Sequence, residues 1–199
     1  MEYFIGLTFD PGSIHHQKVE SFRSRFDTKF GKNENLQLTI LPPFSVDFRS
    51  NQEAEDFEEE LQELLEGHLY GLTEISQIEF NGITFSVGKK GVISLTPIIS
   101  PDIIHCHESL YFFLKEYGVK FKNNSSSALK PLLPIGRFDL IDHMGPAIET
   151  AKMEFSSPFV MDAMSFVLFE KTPKEWKAKN NLFDFELRDH FFFVNEMYA

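Results

Sequence analysis

Two short proline-bearing segments constrain this 199-residue chain more than anything else in it: Gln37-Leu38-Thr39-Ile40-Leu41-Pro42-Pro43-Phe44 and Lys130-Pro131-Leu132-Leu133-Pro134-Ile135-Gly136-Arg137-Phe138. A run such as 36–41 has the apolar content of a strand, and the Pro42-Pro43 pair is expected to end it, because proline has no amide N–H and a fixed φ. Positions two apart on a strand share a face, so Gln37 and Thr39 point together, as do Leu132 and Pro134.

The rest of the chain arranges itself around these segments in two stretches of like order. Residues 3–9 are aromatic and aliphatic and stop at Asp10-Pro11-Gly12, which predicts a first strand closed by a turn. Over residues 13–30, Ile14, Val19, Phe22, Phe26 and Phe30 recur at near-helical spacing, with Ser13 available as N-cap and Gly31 as stop. Residues 52–66 set Phe57, Leu61, Leu64 and Leu65 on one face of a second helix, with Glu53, Glu55, Glu58, Glu59, Glu60 and Glu63 covering the rest. A hairpin is expected where 85–87 and 92–95 flank Gly88-Lys89-Lys90-Gly91, with Asn81-Gly82 as an earlier break. Pro101 opens a third helix to Tyr117, closed by Gly118. A polar loop, 122–127, leads into the second proline-bearing strand. A helix over about 145–155 follows, then strands at 163–170 and 182–187 joined by a basic connection, 171–179. With no long linker, the chain reads as one domain, 1–199, made of two lobes.

Apolar residues at 42% and charged residues at 25% are the balance of a folded globular chain, and 23 phenylalanines predict an aromatic core. A net charge of −11 argues against nonspecific coating of nucleic acid, since phosphate repulsion opposes approach everywhere outside a local basic cleft. No run approaches the roughly 18 apolar residues of a membrane span, and the single cysteine, Cys106, cannot form an internal disulfide. The N-terminus carries no basic leader, so a cytoplasmic location is expected.

The two proline-bearing segments also resemble known signatures. With His at 37 and 132 and Thr at 134 they would read His-x-Thr-x-x-Pro-Pro-Phe and Lys-Pro-His-x-Thr-x-Gly-Arg, the two motifs of the 2H phosphoesterase superfamily, which includes the 2′-5′ RNA ligase-like proteins. The resemblance extends along the chain, through Phe22-Arg23-Ser24-Arg25-Phe26 before the first motif and Met164-Ser165-Phe166-Val167-Leu168-Phe169-Glu170 near the end. It implies an α+β, bilobal, pseudo-two-fold fold in which two antiparallel sheets face each other across a central cleft, with helices outside and one motif on each side.

In active members, the resemblance implies, two imidazoles act as general base and general acid on a phosphodiester while two Thr hydroxyls hold its oxygens. Here Gln37 stands at the first imidazole and cannot exchange a proton near neutral pH, while Thr39 is retained. Leu132 stands at the second imidazole and Pro134 at the second Thr, so that half has lost its polar groups. The implied site therefore has no catalytic residue, and its ligand-binding candidates are Gln37, Thr39, Arg137 and Lys130. Arg137 is equally suited to pairing with Asp139 or Asp142.

None of the seven histidines lies two residues before a Thr, and His105 and His107, in a predicted helix, point to different faces. Neither a metal site nor a nucleotide cofactor has sequence support: ligand-type spacings, a P-loop, a nucleophile elbow and a dinucleotide fingerprint are all missing from the chain. Cys106 reads as a buried thiol. The Asn-x-Ser sequons at Asn123 and Asn124 carry no weight without a secretion signal. Three readings stay open: a degenerate member that binds a nucleotide or RNA-end phosphate without turning it over, a phosphodiesterase that uses other groups, and an interaction module whose acidic helix or aromatic surface docks a protein partner.

Overall fold

The first strand, β1 (Glu2–Phe9), alternates residues that enter the core, Tyr3, Ile5, Leu7 and Phe9, with Phe4, Gly6 and Thr8 on its other side. That period of two dictates a sheet with helices on one face, and the computed structural model, which describes residues 1–30, 36–69, 76–88, 90–121, 129, 131–173 and 175–185, shows one. The order after β1 is α1 (Ile14–Phe26), β2 (Gln37–Ser45), α2 (Asn51–Leu69), β3 (Gln77–Val87), β4 (Gly91–Ile98) and α3 (Pro101–Glu116). It continues through β5 (Lys120–Phe121), β6 (Leu133–Phe138), a 3-10 turn (Ile141–His143), α4 (Met144–Glu154), β7 (Phe159–Lys171) and β8 (Trp176–Asp184). The described residues form an α+β fold of four α-helices and one eight-stranded antiparallel sheet.

Strands run β5-β2-β1-β7-β3-β4-β6 across the sheet, and β8 lies along β7. Continuity depends on β7. Its first residues ladder to β3, from Phe80↔Phe159 to Gln77↔Asp162, and the rest ladders to β1, from Phe9↔Ala163 to Tyr3↔Glu170. Near the two ends of this path, β2 and β6 approach each other, with Cα atoms within 8 Å.

Helix boundaries follow local chemistry. Ser13 caps α1 by accepting the His16 N–H at 3.2 Å, as its position predicts, and Ser100 caps α3 from the Ile103 N–H with Pro101 opening the helix. The α1 helix ends earlier than its apolar spacing suggests: Asp27 is its C-cap, and Gly31 lies outside the described residues. Gly118, at φ 82°, follows α3 in the left-handed region that favours glycine. Each helix inserts one stripe into a common core, Val19 and Phe22 from α1, Phe57, Leu61 and Leu65 from α2, Leu110 and Leu114 from α3, and Ala147 and Ala151 from α4. Each fully buried Leu or Phe contributes on the order of 1.5–3 kcal/mol relative to exposure.

Two expectations about strands are corrected. β2 does not stop before its prolines but runs through Pro42 and Pro43 to Ser45. The pairing skips from Tyr3↔Phe44 to Ile5↔Leu41, so the prolines fall in an irregularity of the ladder where their missing N–H groups leave no bond unmade. β8 likewise begins at Trp176, inside the stretch read as a basic connection, because β7 offers it a partner edge that sequence composition does not reveal. The end of the predicted 182–187 strand, and the whole 122–127 loop, lie outside the described residues. The 85–95 hairpin forms as expected, and Asn81-Gly82 bends β3 within the strand, with Gly82 at φ 99°.

Candidate functional site

On β2, alternation sends Leu38 and Ile40 into the core and leaves Gln37 and Thr39, half-buried, on the opposite face. The register sets Gln37 beside Thr8 and Thr39 beside Gly6 on β1. The missing side chain of Gly6 matters here. A Cβ there would meet Phe4 and Phe169 ring atoms at 3.2 and 3.1 Å and the Gln37 Cγ at 3.5 Å, so the Gln37 side chain leans across Gly6 toward the centre of the sheet. Its Oε1 is buried and has no hydrogen-bond partner.

The same face continues across the next two strands. Thr8 Oγ1 donates to the Ser165 carbonyl at 3.1 Å, and Ser165 in turn pairs with Asp184 of β8. One row across the sheet therefore reads Gln37, Thr8, Ser165, Asp184, and the next reads Thr39, Gly6, Val167, Asn181. Further along, the face turns apolar. Phe4 stacks on Phe169 with ring centroids 4.6 Å apart, Trp176 meets Phe4 edge-on at 4.8 Å, and Lys171 lies over the Trp176 ring.

The second proline-bearing strand presents different chemistry. Leu133 and Ile135 of β6 are buried, which turns Leu132 and Pro134 to the other side, with Leu132 44% exposed. Pro134 sits opposite Ser94 of β4 at a break in the ladder, between Ile93↔Gly136 and Ser94↔Pro134, again where a missing N–H is tolerated. Lys130 lies outside the described residues.

Arg137 pairs with neither Asp139 nor Asp142. Its Nη1 lies 3.4 Å from Oδ2 of Asp27, whose side chain is fully buried at the end of α1. Arg23, itself 2% exposed, approaches the same oxygen at 3.7 Å. Thr28 reinforces the joint by donating its N–H and its hydroxyl to the Arg137 carbonyl, at 3.0 and 2.9 Å. Asp139 pairs instead with Lys90 at 2.7 Å. The spacing of charges along β6 pointed to local partners, but packing α1 against β6 brought a buried carboxylate from a distant position.

Among the histidines, His107 is buried on α3 with its Nδ1 3.0 Å from the Ile40 carbonyl, so it braces the middle of β2 from the core side. His105 on the same helix is exposed and lies 3.8 Å from Glu108. Burial pushes the Cys106 thiol up to about 12, which keeps it protonated and unreactive at neutral pH. Among the described residues no group of three or more His, Cys, Asp or Glu is placed to hold a metal ion, and no helix is long and apolar enough to cross a membrane.

The structure thus brings Gln37 and Thr39 together on one face, places Leu132 and Pro134 on the outer face of a second strand, and gives Arg137 a buried carboxylate. Thr8, Ser165, Asn181 and Asp184 were missed in the sequence. Their alternation with Leu7, Phe166 and Leu168 was visible, but the register that lines them up with Gln37 was not. No family model matches the chain, and no curated protein matches it.

Proposed function

We propose that the chain is a catalytically degenerate 2H phosphoesterase-like protein that binds a nucleotide or RNA-end phosphate ligand without hydrolysing it. The observation that carries this reading is the placement of the two degenerate motifs. They lie on β2 and β6, strands that approach within 8 Å between Cα atoms, and each directs its pair of motif positions away from the core. On this reading the sheet works as two antiparallel halves facing each other across a cleft, related by a pseudo-two-fold and joined at β7, with the helices outside.

Such a cleft retains binding groups on one side only. Thr39 offers a hydroxyl to a phosphate oxygen and Gln37 an amide, but an amide cannot take or return a proton near neutral pH. Opposite them, Leu132 and Pro134 offer no polar side chain, so no general acid faces a leaving oxygen.

Calorimetric titration with a 2′,3′-cyclic nucleotide and with short RNA ends is expected to show binding, while chromatography of the same mixtures shows no product above a buffer blank. Turnover by the wild-type chain would overturn the degenerate reading. Gln37→His combined with Leu132→His and Pro134→Thr restores the missing groups, and the folded triple variant is expected to cleave the cyclic phosphate measurably. Because a general acid or base typically contributes about 10²–10⁴-fold, the gain stands clear of background.

A further inference from the structure

Past Phe80, β3 runs on without one of its neighbours. β7 accompanies it only from Gln77 to Phe80, whereas β4 stays paired with it as far as Val87. Among the described residues, then, no strand lies along the other edge of β3 from Ile83 to Val87, and an edge left this way offers backbone N–H and C=O groups to any strand that fits them. The side chains are bare as well. Thr84 to Val87 are exposed throughout, Phe85 by 54% and Val87 by 61%. Phe85 stands opposite Ile93, which is buried, so the apolar face of the core continues along this edge into solvent.

The edges of β2, β5, β6 and β8 are guarded against such pairing. β2 carries Pro42 and Pro43, and the Nδ1 of His107 lies 3.0 Å from its Ile40 carbonyl. β5 is two residues long and includes Lys120. On β6 the Arg137 carbonyl accepts from Thr28, and β8 carries Lys177 and Lys179, the latter held by Glu58 at 2.6 Å. Prolines, charges and covering contacts of this kind keep strands from adding to a sheet. The stretch Asn81-Gly82-Ile83-Thr84-Phe85-Ser86-Val87-Gly88 has neither proline nor charge, and the irregularity of its ladder to β4 lies before Ile83.

We propose that this edge pairs antiparallel with the same edge of a second copy of the chain, about a two-fold axis at Phe85. With both cores on one side of the joined sheet, that register sets Phe85 against its own counterpart and Ile83 against Val87, so each apolar side chain meets an apolar one. Moving the axis by one residue sets Val87 against Asn81 or Ile83 against Lys89. Centred on Phe85, the pairing also brings Gly88 of one copy opposite Gly82 of the other, where a Cβ would meet nothing within 4 Å, so the turn has room beside the start of β7. A charged peptide finds no counter-charge along 81–88, whereas a copy of the same strand matches it residue for residue. The ladder is short and each copy carries a net charge of −11, so the contact falls below the roughly 1,200 Å² of a permanent interface and the dimer exchanges with monomer. This pairing goes beyond the nucleotide reading and does not depend on it.

Sedimentation equilibrium of the full chain from about 1 μM to about 1 mM is expected to show the average mass rising from one chain toward two and no further. Phe85→Lys and Val87→Lys each put a charge on the contact and should weaken association at least about tenfold, with the thermal midpoint of the dilute protein unchanged because both side chains are already exposed. Raising salt from about 0.05 M to about 0.5 M should tighten the wild-type dimer severalfold by screening the repulsion between copies. Amide exchange across 83–87 should slow as concentration rises. A mass fixed at one chain over the whole range overturns the pairing, as does association that salt weakens or that neither substitution disturbs. Exchange across 83–87 that is slow at every concentration overturns it too, since another segment of the same chain would then occupy the edge.

Discussion

The strands β2 and β6 each carry proline at a break in a ladder, Pro42 and Pro43 on one and Pro134 on the other, but their outer faces differ. β2 presents Gln37 in a polar row with Thr8 and Ser165 and Thr39 in the next row, whereas the second segment presents Leu132, just before β6, and Pro134 on it. Their inner faces are alike: Leu38 and Ile40 on one, Leu133 and Ile135 on the other, all essentially inaccessible. The contrast teaches that fold and site have separable requirements. Inner positions must stay apolar to seal the core, whereas outer ones are free of that demand, so one can be polar and the other apolar without unfolding the chain.

The comparison predicts, first, that inner positions are equivalent. Leu38→Ala and Leu133→Ala should each cost about 2–5 kcal/mol, and in each variant urea unfolding followed by far-UV circular dichroism and by Trp176 fluorescence should coincide. Two separated transitions would mean that the halves around β7 are independent units.

Next in size is the joint that holds β6 against α1. Asp27→Ala takes a buried carboxylate away from both Arg23 and Arg137, and should cost about 3 kcal/mol by the same denaturation. Hydrogen exchange should quicken in β6 before β2. A loss under about 0.5 kcal/mol would show the cluster to be solvated rather than structural.

A smaller effect concerns the core beneath β2. With the Cys106 thiol held at about 12 by burial, against 9.0 when unperturbed, the unfolded chain releases its proton first as pH rises. This contribution to stability is complete below pH 9.0 and is lost progressively as pH rises toward 12, and iodoacetamide at pH 8 should label the thiol only in denaturant. Rapid labelling of the folded protein would mean that α3 opens locally.

The smallest effect belongs to the exposed position just before β6. Leu132→Asn should change stability by less than about 0.5 kcal/mol and, on the proposed reading, leave nucleotide binding within about twofold, since Leu132 is an exposed apolar side chain. A marked loss would show that Leu132 takes part in the proposed binding.

The amino-acid sequence by itself determined most of the element order, β5 and the start of β8 excepted, because period-two and period-3.6 patterns are local. Ser13 as a cap, Pro101 opening α3, the 85–95 hairpin and the stripe of Phe57, Leu61 and Leu65 follow from neighbours a few residues away. It also determined what the two motif strands lack, since no folding can give Gln37 or Leu132 an ionisable imidazole. Only the tertiary structure decided that β2 survives its prolines, that Arg137 meets Asp27, and that Ser165 stands in the same row as Gln37. Each of these depends on registers and packing between segments tens to more than a hundred residues apart. Pairing energies of that kind are set by the whole sheet closing around its core, and no short window of residues contains them.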